Sequence, residues 1–171
     1  MTKTMTTLRM EELTLQSAGL MRVAGVSADV LPGQLVAIVG ANGSGKSSLL
    51  DLMAGIIQPT AGRIFINEQP LVTYSAARLA RARAWLGQST PGAQDYSVRE
   101  VITWGGRTND APPSSLAVED LAEALGLSDL LTAPLRRLSG GERQRTHVAR
   151  IWLQDAPMTM LDEPDASLDE Q

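Results

Sequence analysis

The sequence lacks cysteine, contains almost no lysine, and has no apolar run of membrane-spanning length. Without cysteine, a disulfide framework and a thiolate metal site are both excluded. Residues 1–7 lack the apolar core of a signal peptide, and any membrane-spanning segment would have to come from a partner. The net charge of −4 and the pI near 5.0 do not indicate a nucleic-acid binder. With 43% hydrophobic and 20% charged residues, the composition is that of a soluble globular chain.

A glycine-rich stretch at residues 40–47 fits the phosphate-binding pattern G-x-x-x-x-G-K-[ST]. An apolar run at residues 35–39 predicts a buried parallel strand before it, and residues 48–54 predict a helix after it. Glycines let the backbone N–H groups turn inward onto a phosphate chain, which the helix N-terminus also attracts. The alternative is a glycine turn that fits the pattern by chance. The candidate nucleotide-binding residues here are Gly40, Asn42, Gly43, Ser44, Gly45, Lys46, Ser47 and Ser48.

Two of these side chains have specific expected roles. Lys46 would reach the β- and γ-phosphates, and the Ser47 hydroxyl would bind Mg²⁺.

The remaining pattern alternates strands and helices, with an all-helical stretch at residues 89–138. Loose alternation at residues 8–15 and 20–30 predicts a small antiparallel layer. Two capping-box spacings, Ser97 with Glu100 and Ser139 with Glu142, predict helix starts. Further strands are expected at residues 63–67, 84–88 and 158–161, and further helices at residues 75–83, 116–125 and 139–153.

Two adjacent carboxylates, Asp162 and Glu163, follow the predicted strand at residues 158–161. Ligands of open α/β sheets bind beyond the carboxyl ends of the strands, where the phosphate loop also lies. Asp162 would therefore hold the Mg²⁺ that Ser47 contacts, and Glu163 would orient or deprotonate a water. The alternative is a surface acidic pair before a proline turn.

Residues 138–145, Leu-Ser-Gly-Gly-Glu-Arg-Gln-Arg, resemble the signature sequence of the ABC (ATP-binding cassette) ATPases. The resemblance implies that this helix start caps the γ-phosphate held by a second copy, so that a head-to-tail dimer encloses two ATP molecules. The residues concerned are Ser139, Gly140, Gly141 and Glu142. The simpler alternative is a capped helix start that happens to contain two glycines.

The same resemblance assigns Gln88 to a glutamine that contacts Mg²⁺ and water and senses the membrane partner. Taken alone, Gln88 is also an ordinary polar residue at a strand end. Residues 166–169 are similar to the D-loop, which crosses the dimer interface.

The implied fold is an α/β P-loop NTPase of the ABC ATPase type. It has an N-terminal antiparallel β layer, a mixed or parallel core sheet and an inserted helical subdomain. We expect one domain over residues 1–171, incomplete at its C-terminus. Residues 1–88 would form the antiparallel layer and the first part of the core, residues 89–138 the helical subdomain, and residues 139–171 the remainder.

The sequence departs from the family pattern at two places. No Phe, Tyr or Trp precedes Phe65, although the family carries an aromatic residue upstream of the phosphate loop that stacks on adenine. That residue would fall at residues 15–20, so aliphatic contacts replace stacking or base selectivity is weak. The switch histidine that the family places beyond the D-loop is absent from these residues; His147 is instead expected to be a packing or surface residue.

Residues 79–88 and 97–107 resemble the ABC importer subgroup that takes up iron chelates, haem and cobalamin. The implied activity is ATP hydrolysis with Mg²⁺, with Glu163 as base and Gln88 assisting, on the inner face of the membrane. The implied partners are permease subunits, a second cassette and, indirectly, a solute-binding protein, but no nucleic acid. Tyr96, Val98 and Trp104 are candidate permease contacts or, equally, core residues of the insert. The alternatives are a soluble ABC protein acting on ribosomes or DNA, and a nucleotide-binding module with little hydrolysis.

Overall fold

The computed structural model describes residues 6–87, 93–106 and 115–163. Its internal contacts define two compact units, the first ending at Arg83 and the second beginning at Ala84. Each unit is described by itself. Gln88 and the stretch at residues 166–169 lie outside the described residues.

An antiparallel sheet with strand order β2-β1-β3-β4 forms the framework of the first unit. Side chains of β1 alternate between buried and partly exposed, as expected for a strand with one face on a core. The sheet confirms the predicted antiparallel layer. Its strands are β1 (Leu8–Ser17), β2 (Leu20–Val30), β3 (Ala61–Ile66) and β4 (Gln69–Pro70).

Two short helices complete the first unit, α1 (Lys46–Met53) and α2 (Ala76–Ala82). Helix α1 is held by its last turn, where Leu52 and Met53 are buried. Helix α2 begins at Ser75, whose side chain accepts a hydrogen bond from the backbone N–H of Arg78.

The predicted buried strand at residues 35–39 is wrong. These residues carry no strand, and Leu35, Val36 and Val39 are exposed, Leu35 fully so. A parallel strand is stabilised by ladder hydrogen bonds to its neighbours and by packing on both faces. Within residues 6–87, 93–106 and 115–163, no strand pairs with this segment, so the apolar pattern alone does not produce a strand.

A parallel strand pair lies in the second unit, formed by β5 (Ala84–Leu86) and β6 (Thr159–Leu161). The backbone N–H of Asp162 continues the pairing by donating to the carbonyl of Leu86 at 2.8 Å. This pair and the antiparallel sheet confirm the predicted α/β class with both kinds of strand pairing.

Three helices, α3 (Val98–Gly105), α4 (Ser115–Ala124) and α5 (Gly140–Gln154), account for most of the second unit. They enclose an apolar core. None of the described helices is both long and apolar enough to span a bilayer. The fully buried core side chains include Val98, Val101, Ile102, Ala122, Leu127, Leu135 and Ala149.

Helices α3 and α5 approach each other closely at Gly105. A Cβ atom at this position would overlap the carbonyl oxygen of Arg150 on α5. Glycine is therefore required at this crossing because the backbones of the two helices are in direct contact.

Candidate functional site

The phosphate loop has the backbone conformation that its glycines allow. Gly43 has φ of 78° and Gly45 has φ of 96°, both in the left-handed region that disfavours residues with a Cβ. The backbone N–H of Ser44 donates to the carbonyl of Ala41 at 3.2 Å and closes the turn. The loop then enters α1 with Gly45 as the residue that precedes the first helical turn.

The side chain of Lys46 is held over the loop. Its Nζ donates to the carbonyl oxygens of Gly40 and Ala41, at 3.1 Å each. The first turn of α1 contains no acidic residue, and Gly45 supplies no side-chain cap. An ammonium group beside a helix start without a carboxylate suits a bound phosphate chain, so these residues fit a nucleotide.

Strand β2 packs against this loop, a contact that the sequence pattern does not reveal. A Cβ at Gly45 would overlap the carbonyl oxygen of Arg22. Because the two residues are far apart in the chain, no local spacing signals their contact.

A cleft of about 350 Å³ adjoins the loop in the first unit. Its walls include Met21, Arg22 and Val23 of β2 on one side and Lys46 and Leu49 of α1 on the other. The sequence interpretation placed the base contact at residues 15–20, but none of those residues lines this cleft.

The acidic pair follows β6 in the second unit. The Asp162 side chain is buried at the carboxyl end of the strand, whereas Glu163 is exposed. Glu163 has φ of 47°, which is unusual for a residue with a side chain. A buried carboxylate beside an exposed one at a strand end fits the two predicted roles, ion binding and water activation.

The predicted oxygen ligands for Mg²⁺ are Ser47, which belongs to the first unit, and Asp162, which belongs to the second. Mg²⁺ typically takes one or two protein oxygens and completes its shell with phosphates and water, so these donors fit the ion. Within the described ranges, no cluster of three His, Cys, Asp or Glu residues could hold a metal alone. Gln88, the third predicted ligand, lies outside the described residues, and its role stays a prediction.

The predicted capping box at the start of α5 is confirmed. Glu142 Oε2 accepts hydrogen bonds from the backbone N–H of Ser139 at 2.7 Å and from its hydroxyl at 2.9 Å. The Ser139 hydroxyl accepts in turn from the backbone N–H of Glu142 at 3.3 Å. These hydrogen bonds from Ser139 lower the pKa of Glu142 below its ordinary value. The Gly140 and Gly141 amides lie in the first turn, where helix N–H groups have no intrahelical acceptor.

His147 lies two turns further along α5 and is largely buried. Burial, together with the nearby cations of Arg150 and Arg143, lowers its pKa to about 4. Its Nδ1 has no hydrogen-bond partner among the described residues. The expected packing role therefore fits better than a surface role.

The three candidate permease contacts differ in exposure. Val98 is fully buried in the core of the second unit, so its packing role is established. Tyr96 is 45% exposed, and its ring meets that of Trp104 edge-on at 4.9 Å. Only Tyr96 and part of Trp104 remain accessible to a partner.

Comparison with known proteins gives concordant matches. The family described as "ABC transporter" matches residues 23–166. The hemin import ATP-binding protein of Nitrobacter winogradskyi is 39% identical over 165 residues, covering 92% of this chain and 61% of the relative. The cobalamin import ATP-binding protein of Halobacterium salinarum is 38% identical over 167 residues, covering 95% of this chain and 42% of that protein. The chain thus spans at most about two thirds of the length of these relatives.

Solved structures match the fold. A bacterial ABC exporter with ATP bound superposes with a TM-score of 0.85 at 24% identity, over 99% of this chain and 31% of the exporter chain. A nucleotide-free ATP-binding cassette superposes with a TM-score of 0.76 at 24% identity, over 94% of this chain and 70% of the cassette. Because the family match extends over most of the residues, the chain belongs to the ABC transporter family.

Proposed function

We propose that this chain binds and hydrolyses ATP to power an ABC importer for an iron-siderophore complex, haem or cobalamin. The observation that carries the proposal is the phosphate loop, with its left-handed glycines and with Lys46 over the helix start. The hemin and cobalamin import relatives support the direction of transport and the solute class.

The residues of the first unit would hold the nucleotide. Lys46 would leave the carbonyls of Gly40 and Ala41 and donate to the β- and γ-phosphates, while the loop amides bind phosphate oxygens. Ser47 and, from the second unit, Asp162 would hold Mg²⁺, which neutralises phosphate charge when bound. That these two residues meet at one ion stays a prediction.

Glu163 would act as the general base. Its exposed carboxylate at the end of β6 is accessible to a water that attacks the γ-phosphate. Gln88 would help to place that water. Such proton transfer typically contributes about 10²–10⁴-fold to a rate.

A second copy would complete the site. Ser139, Gly140 and Gly141, at the capped start of α5, would meet the γ-phosphate held by the other copy's loop. ATP would close this head-to-tail dimer and hydrolysis would reopen it. That residues 1–171 act as one ABC ATPase domain, with a helical subdomain at residues 89–138, belongs to the same proposal.

The other proposed partners are membrane permease subunits, which would place the chain on the cytoplasmic face of the membrane. The solute-binding protein would act through them. Tyr96, exposed beside Trp104, is the proposed permease contact that the structure leaves accessible.

The test is Glu163→Gln, made in this chain and in a chimera that continues it with the C-terminal residues of the Nitrobacter relative. The substitution preserves the shape of the side chain but removes the base. We expect phosphate release by the chimera to fall at least a hundredfold while binding of Mg-ATP is retained.

Glu123→Gln on α4 is the matched control, since it removes an exposed carboxylate of the same unit and should leave turnover unchanged. Unchanged turnover in Glu163→Gln would refute the assignment of the base. A chimera that binds no Mg-ATP would refute the proposed function as a whole.

A further inference from the structure

Arg150 reaches from α5 to strand β5 within the second unit. Its Nη2 atom donates a hydrogen bond to the backbone carbonyl of Trp85 at 3.3 Å. Its Nε atom is buried and has no hydrogen-bond partner among the described residues. No carboxylate within residues 6–87, 93–106 and 115–163 forms an ion pair with it. Because burial of a cation without a paired carboxylate costs stability, packing alone does not account for this arginine.

The carbonyl that Arg150 contacts lies on the edge of β5 that faces away from β6. The backbone N–H of Ala84 and the carbonyl of Leu86 are hydrogen-bonded on the β6 side, at 2.8 Å each. Successive residues of a strand direct their backbone groups to opposite sides, so Trp85 between them faces the other way. In the part of the chain that the structure describes, no strand pairs with that side. Arg150 therefore provides a donor where a neighbouring strand would otherwise provide one.

The position of β5 in turn affects Asp162. The backbone N–H of Asp162 donates to the carbonyl of Leu86, which extends the pairing one residue beyond β6. Each strand of the pair has only three residues, and two strands alone are marginally stable. Packing of β5 on Ile151 of α5 and the hydrogen bond from Arg150 add to this pairing. A displaced β5 is therefore expected to displace the Asp162 carboxylate.

The backbone of Arg150 is held by a second contact. Its carbonyl oxygen is the atom that a Cβ at Gly105 would overlap, so α5 lies directly on α3 at this residue. The guanidinium group is planar and presents its donors in a fixed arrangement, unlike a lysine ammonium. A donor of fixed geometry on a closely packed helix can define where β5 lies.

We propose that Arg150 is a positioning residue for the Mg²⁺ site, because its hydrogen bond to the edge of β5 fixes the Asp162 carboxylate at the end of β6. This inference rests on the proposed function, in which Asp162 binds Mg²⁺. Replacing a residue that orients a metal ligand typically weakens metal binding by about 10- to 100-fold. Since Arg150 acts through two strands, we expect the low end of that range.

The first experiment measures how the 171-residue chain depends on Mg²⁺. Binding of a ribose-labelled fluorescent ATP is measured across a series of Mg²⁺ concentrations and, separately, in EDTA. In Arg150→Met we expect the half-saturating Mg²⁺ concentration to rise about tenfold, while the affinity for nucleotide in EDTA stays the same. Arg99→Met is the matched control, since it removes an exposed arginine of the same unit that pairs with Glu119.

The outcomes separate this inference from the function on which it rests. An unchanged half-saturating Mg²⁺ concentration in Arg150→Met, or an equal rise in Arg99→Met, would overturn this inference alone. A wild-type chain that binds no fluorescent ATP at any Mg²⁺ concentration would overturn the proposed function as well.

A second measurement distinguishes positioning from general stability and needs no nucleotide. Amide hydrogen exchange at Asp162 reports its hydrogen bond to Leu86, and exchange at Val101 reports the helical core of the same unit. We expect Asp162 to exchange severalfold faster in Arg150→Met, and less so in Arg150→Lys, with Val101 unchanged in both. Equal acceleration at the two amides, or wild-type exchange at Asp162, in the variants that fold would overturn the inference.

Discussion

Helices α1 and α5 both begin with glycine-rich sequences that resemble anion-binding motifs, yet their first turns differ. Helix α1 follows Gly45, which has no capping side chain, and its first turn contains no acidic residue. Helix α5 follows Ser139, whose backbone N–H and hydroxyl both donate to the Glu142 carboxylate.

The two helices differ in the source of the negative charge that stabilises their N-termini. Helix α5 already has a carboxylate at its positive end, supplied by its own third residue. The first turn of α1 contains no acidic residue and Lys46 lies over the loop, so the negative charge at this helix start would come from a ligand. The phosphate loop thus suits a bound phosphate, as proposed, whereas the start of α5 carries its own carboxylate and suits a secondary, capping contact.

The largest effect on the uncapped N-terminus of α1 is expected for the substitution Gly45→Ala. Its Cβ would overlap the Arg22 carbonyl and would occupy a left-handed conformation that costs about 1–2 kcal/mol. We expect nucleotide binding, measured by fluorescence titration, to be abolished. Gly43→Ala is the control, because its φ is also positive but a Cβ there meets no atom within 4 Å. If Gly45→Ala bound as tightly as Gly43→Ala, the contact with β2 would not matter.

Lys46→Ala is expected to have the next largest effect. Hydrogen bonds to charged groups contribute about 1.5–3 kcal/mol each, so ATP should bind roughly 10- to 100-fold more weakly. The substitution also removes two hydrogen bonds to the loop carbonyls. The thermal unfolding midpoint without nucleotide therefore serves as the control, and an unchanged ATP affinity would contradict the assigned role.

His147 on α5 should make the stability of the folded chain depend on pH in the acid range. The folded state keeps this side chain neutral down to about pH 4, while an unfolded histidine protonates near its ordinary pKa. Between those values the unfolded chain binds more protons, so stability falls as the pH falls. We measure the free energy of unfolding in urea at pH 7 and at pH 4.5. Its decrease between the two pH values should be smaller in His147→Gln than in the wild type, by roughly 1–3 kcal/mol. Equal losses in both proteins would show that His147 is solvated.

The smallest effect is expected for the cap of α5. Ser139→Ala should destabilise the chain by about 1 kcal/mol in urea unfolding, as loss of a serine cap generally does. Ser97→Ala on α3 removes the other capping box and should cost the same. Hydrogen bonds from Ser139 lower the pKa of Glu142, so the part of the cap that depends on this carboxylate is present at neutral pH and is lost as the pH falls through the lowered pKa. A change several times larger in Ser139→Ala than in Ser97→Ala would indicate a role beyond capping.

Local sequence patterns predicted much of the fold and of the site. Both capping boxes, the antiparallel layer, and the start of α5 follow from residues only a few positions apart, and the structure confirms each of them. The conformation of the phosphate loop follows from its glycines in the same way.

The features that the sequence did not reveal depend on contacts between distant residues. The apolar run at residues 35–39 lacks the paired neighbours that a parallel strand needs. The approach of β2 to Gly45 joins residues more than twenty positions apart. Such contacts depend on the packing of whole elements, which a window of adjacent residues does not contain.

Gly105 couples the positions of two helices in the second unit. With no side chain at Gly105 between them, α3 and α5 touch backbone to backbone at this point. A displacement of α3 is therefore expected to move the C-terminal part of α5 with it, because a backbone contact leaves no side chain that could rearrange to absorb the shift.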